Sequence, residues 1–113
     1  MNITIDKKEY ELNFGIGFLD DLDKIAGVDV QGISMGMALT RTLPALKGWD
    51  MLALIKVVYS ATHATSPRPS YDDVANSIGE LTDKQIEKLF TDVLAELKKS
   101  PVVRFSVNKL TRN

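Results

Sequence analysis

The chain has 113 residues, of which 44% are hydrophobic and 26% charged, with 14 basic against 15 acidic side chains and no cysteine. That length suits one domain with a real core and is too short for two. The near-neutral balance gives no reason to expect nucleic acid over the whole surface, and the lack of cysteine excludes disulfides, thiolate catalysis and Cys-based zinc sites, which fits a reducing compartment.

The opening MNITIDKKEYEL alternates and carries charge where a signal peptide would carry an apolar run, so cytoplasmic synthesis is expected. Ile3, Ile5, Tyr10, Leu12 and Phe14 follow the two-residue period of a strand. A two-residue turn at Lys7 and Lys8 would set Ile5 opposite Tyr10 and Ile3 opposite Leu12, all on one face. Lys-Lys suits positive φ poorly, which leaves a longer or bulged loop open. A lone hairpin is marginal, so helices are expected against its apolar face.

Gly15 and Gly17 break the alternation. Phe18, Leu19, Leu22, Ile25 and Ala26 then recur at helical spacing up to Gly27, with Asp20, Asp21, Asp23 and Lys24 on a face assigned to solvent. After a connection over 28–32, a second helix is expected from about Ser34 to Leu46, with Met35, Ala38, Leu39, Leu43 and Leu46 inward. Pro44 should kink or break it near Thr42, since a proline inside a regular helix costs roughly 3 kcal/mol.

The stretch GWDMLALIKVVYSATHA, residues 48–64, is apolar almost all round and leaves only Asp50, Lys56, Ser60 and His63 on a narrow polar stripe. A helix so enclosed belongs at the centre of the domain. At about sixteen residues, with Lys56 midway, it is too short and too charged to span a bilayer.

TSPRPS, residues 65–70, reads as a loop because each proline biases its predecessor away from helix. Ser70 and Asp73 then fit a helix start, with Tyr71, Val74, Ala75 and Ile78 inward and Gly79 near its end. Thr82 and Gln85 form a capping box ahead of the apolar face Ile86, Leu89, Phe90, Val93, Leu94 and Leu97, and Lys98 and Lys99 close that helix. Beyond Pro101 the tail alternates at Val103, Phe105 and Val107, as a third strand or a mobile end would.

No residues assemble into a catalytic group. His63 is the only histidine and reads as part of the polar stripe or as a helix-end hydrogen-bonding group. Asp20, Asp21 and Asp23 lack the loop and central glycine of a calcium site. Gly15-Ile16-Gly17 lacks the third glycine and the βαβ context of a dinucleotide fingerprint, and no serine lies in G-x-S-x-G. Residues 71–99 can be drawn as a helix-turn-helix, but the outer face of the second helix mixes Asp83, Lys84, Glu87, Lys88, Asp92 and Glu96, which would repel phosphate as often as attract it. A small DNA-binding regulator using 71–99 is therefore the alternative reading, and an enzyme a distant third.

Taken together, NITIDKKEYELNFGIGFLDDLDK, GMALTRTLPALKGWDMLALIKVVYSAT, SPRPSYDDV and IEKLFTDVLAELKKSP resemble, in this order, the tail assembly chaperones of long-tailed phages and prophages of Gram-positive bacteria. The likeness covers residues 1–101. It departs at Lys7 and Lys8, where a turn glycine is expected, and in an end more apolar than the family's short basic one. The resemblance implies a non-enzymatic protein of the host bacterial cytoplasm, without cofactor, metal, nucleic acid or membrane. Its implied partners are the tape measure protein, kept soluble before the tail tube forms, and the tail tube (major tail) protein, recruited through a longer frameshifted form; self-association along the client is a further expectation.

A helical client is most simply held in a groove between amphipathic helices. The candidates for that grip are Met35, Met37, Leu52, Tyr59 and Phe90, although core packing would explain each of them too. The fold expected is α+β and mostly helical: an N-terminal β-hairpin against about five helices, one domain over 1–101, and a tail over 102–113 with a possible short strand.

Overall fold

The computed structural model describes residues 1–26, the backbone of 29–30 and 33–34, and residues 38–105. Strands β1 (Asn2–Ile5) and β2 (Lys8–Glu11) form the expected antiparallel hairpin. Its turn is Asp6-Lys7, not Lys7-Lys8, and both turn residues have positive φ, 50° and 67°. Aspartate tolerates the left-handed region better than most residues, so the primed two-residue turn moves one position earlier. Ile3 then pairs with Tyr10 and Ile5 with Lys8. The sum of paired positions changes by two, so the apolar residues keep their common face.

That face meets the helices. Ile5 is fully buried, the Asp6 amide donates to Ser77 Oγ at 3.1 Å, and the Asn13 amide donates to the Ala61 carbonyl at 2.9 Å. Helix α1 (Ile16–Ala26) follows. Gly17 lies inside it, where a Cβ would come within 2.4 Å of the His63 ring. The second glycine of the pair therefore serves a close helix approach as well as a turn.

A second small ladder, β3 (Asp29–Val30) with β4 (Ile33–Ser34), occupies what the sequence suggested was a connection and a helix start. Helix α2 begins at Ala38 and runs to Lys47 without a break at Pro44. Thr40, whose carbonyl loses its partner to the proline, shares the exposed face with Pro44, so water satisfies the freed group at little cost.

Helix α3 (Met51–Ser60) is central, packed against α1, α2 and α4 (Tyr71–Gly79), with Leu54, Val57, Val58 and Ser60 fully buried. Asp50 caps it by accepting from the Leu52 and Ala53 amides at 2.9 and 3.2 Å. Enclosure fails only at its first turn, where Leu52 is 62% exposed. Helix α5 (Asp83–Lys99) carries both halves of the Thr82–Gln85 capping box.

Ser100 and Pro101 restart the chain as a helical turn over 101–105, where the alternation had suggested a strand. Ser100 is extended and its Oγ accepts from the Val103 amide at 3.4 Å while donating to the Phe14 carbonyl at 2.6 Å. Proline suits the first helical position because its missing N–H would have no partner there. Val103 is thereby buried and Phe105 left 64% exposed. Val107 and the rest of the expected tail lie outside the described residues.

Candidate binding surface

The five residues expected to grip a client part company. Leu52 stands out from the surface, as expected of an anchor. Phe90 is only 1% exposed, at the centre of the core face of α5. Tyr59 is half-buried, with the Arg68 guanidinium 3.9 Å above its ring and Tyr71 edge-on at 5.5 Å. Met35 and Met37 lie outside the described residues.

What covers Phe90 is Trp49, the single tryptophan, whose ring meets it edge-on at 5.2 Å while remaining 56% exposed. Trp49 sits at φ 63° between the end of α2 and the Asp50 cap of α3. Left-handed backbone costs a bulky residue about 1–2 kcal/mol, and Gly48 is the immediate neighbour that would bear it freely. A large, half-exposed aromatic held in a costly conformation is a mark of a working surface.

A groove of about 290 Å³ lies between the C-terminal halves of α2 and α5, with the turn over 101–105 contributing to its wall. Leu43, Leu94, Leu97 and Val103 form its floor, and Lys47, Lys98 and Arg104 its rim. Leu94 lies one helical turn beyond Phe90 and Lys47 two residues before Trp49, so groove and tryptophan are continuous along the chain. The apolar spacing of α5 placed Leu94 and Leu97 on one face in the sequence. Of the rim only Lys98 was singled out, as a charge closing a helix end, because spacing along one helix cannot show that three cations from three segments converge.

The other candidate chemistry is absorbed by the fold. Arg68, in the proline loop, pairs with both carboxylate oxygens of Asp21, donates to the Tyr59 carbonyl at 2.8 Å and reaches Thr62 Oγ1 at 3.2 Å. Asp23 accepts from the Ala38 amide at 3.3 Å, at the start of α2, and Asp20 pairs with Lys24 at 3.1 Å. The acidic face assigned to solvent thus contributes two tertiary fastenings, a partnership that helical spacing alone could not reveal.

His63 packs against Gly17, and its Nε2 is buried with no hydrogen-bond partner among the described residues. No cluster of three potential metal ligands occurs among those residues. On the outer face of α5, Lys88 pairs with Asp92 and Lys99 with Glu96, which leaves the mixed charge that disfavours a phosphate backbone. No helix among the described residues is long and apolar enough to cross a membrane.

Apolar floor, basic rim and exposed aromatic together make the candidate binding surface. No curated protein and no solved structure matches the chain. The sequence model of one family, described as phage tail assembly chaperone protein, TAC, matches residues 2–111, nearly the whole length, and the chain belongs to that family.

Proposed function

We propose that this chaperone binds the tape measure protein of its phage in the host bacterial cytoplasm, keeps it soluble before the tail tube closes around it, and helps recruit tail tube subunits. Recruitment runs through a longer frameshifted form, and the work is binding without a reaction. Family membership gives the general role of a tail assembly chaperone. The exposed Trp49 and Leu52, at 56% and 62%, are the observation that supports a grip on an apolar client, since both lie where α2 hands over to α3.

Size bounds the stoichiometry. The longest dimension is 41 Å. At 1.5 Å per residue that matches about 27 residues of helix, so a long client takes many copies side by side.

Co-expression with the tape measure protein of the same phage tests the proposal. The expected result is a several-fold rise in soluble client and co-elution of the two chains on size exclusion, with many chaperones per client. An unchanged yield with no complex contradicts it.

A further inference from the structure

We propose that the groove between α2 and α5 is the client site, and that it selects an acidic amphipathic helix: apolar anchors on one face, carboxylates along both flanks. This inference rests on the chaperone reading only for the client being a helical polypeptide. The preference for acid is carried by the groove itself.

Lys47, Lys98 and Arg104 come from three segments and converge on one apolar floor, with no carboxylate among the described residues that line it. None of the three forms an ion pair with a carboxylate among the described residues, whereas Lys24, Lys88 and Lys99 all do. A cation in the last turn offsets a helix dipole, which accounts for Lys47 and Lys98 singly. It does not account for three cations facing one cleft without a counter-charge.

Two antiparallel or crossed helices leave between them a channel that a third helix fills with anchors spaced three and four residues apart. Carboxylates flanking those anchors would meet the rim, and Trp49 would extend the contact past the groove's open side. The segment following Phe105 contains Lys109 and Arg112 and no acidic side chain, so like charge argues against the chain's own end as the occupant.

The test uses two synthetic helical peptides with the same leucine face, one flanked by glutamates and the other by lysines, titrated against the full chain with Trp49 fluorescence as the readout. The glutamate peptide should bind, about tenfold or more tighter than the lysine peptide at low salt, and the difference should shrink as salt screens the rim. The charge-reversed chain Lys47→Glu, Lys98→Glu, Arg104→Glu should invert the preference. All three side chains are exposed, so the fold should survive, and circular dichroism checks that it does.

Leu94→Gln, which touches only the floor, should weaken both peptides alike, and it serves in place of the charge-reversed chain should that one not fold. Equal binding of the two peptides overturns the inference, as does a preference that charge reversal leaves standing. Displacement of the peptide by a short DNA duplex, or a self-association that reversal abolishes, also overturns it by naming a different occupant. The two proposals fail separately. A charge-reversed chain that still raises client solubility sinks the groove and leaves the chaperone role, while a wild-type chain that raises nothing sinks the role, and the peptides alone then decide the groove.

Discussion

Phe90→Ala should lower stability by about 3–5 kcal/mol, the range for removing a large aromatic from a packed core. Phe90 is 1% exposed in the same buried core as Val93 and Leu97, so its loss leaves a void that rigid neighbours fill only in part. A domain of this size has roughly 5–15 kcal/mol in total, so the variant should be visibly less stable in urea, with its midpoint displaced and its slope unchanged. Trp49, losing the ring it rests on, should also change its emission in the folded state. Wild-type stability together with weakened client binding would instead make Phe90 a contact residue.

Arg68→Ala should cost on the order of 2–4 kcal/mol, because one side chain fastens three parts of the fold. Its guanidinium joins Asp21 of α1 to the carbonyl of Tyr59 at the end of α3 and reaches Thr62 in the loop, while its flat face covers the Tyr59 ring. Arg68 and Asp21 retain only 27% and 20% side-chain exposure, so truncation leaves the Asp21 carboxylate poorly hydrated and without its donor, while the Tyr59 carbonyl keeps the Thr62 hydroxyl at 2.6 Å. Arg68→Lys should recover less than half of the loss, since an ammonium cannot pair bidentately and reach the carbonyl at once. Chemical denaturation of the two variants measures both; an Arg68→Ala cost below about 0.5 kcal/mol would reduce the fastening to an ordinary surface ion pair.

What could be read from the sequence followed from periodicity. The capping box at Thr82, the apolar face of α5, the enclosed α3 and the one-faced hairpin all follow from local rules that act within a few residues, and packing does not override them. Where the reading missed, a distant partner or a local alternative decided the outcome. Asp6 took the turn from Lys8 because it bears positive φ more cheaply. Of the kink or break expected at Pro44, the break does not occur: α2 runs on through it, with Thr40 and Pro44 both exposed. The alternation after Pro101 allowed a strand, but Ser100 caps a helical turn of which Pro101 is the first residue.

The proposed binding surface was legible only in part. Leu52, named as a candidate, is exposed, and a groove between helices is present. Trp49 was counted with the buried face of α3, since helical spacing cannot reveal that the helix starts at Met51, beyond it. Arg68 was passed over as a loop residue because the Asp21 that defines it lies 47 positions away.

Hydrogen exchange on the purified complex with the tape measure protein tests most directly that another polypeptide is held in the cleft beside Trp49. Client binding should slow amide exchange in the last two turns of α2, from Leu43 through Trp49, and in α5 from Leu94 to Lys98, while the outer hairpin face at Thr4 and Glu9 stays as in the free chain. Protection confined to the hairpin or to the outer face of α5, with those two segments unchanged, would contradict it.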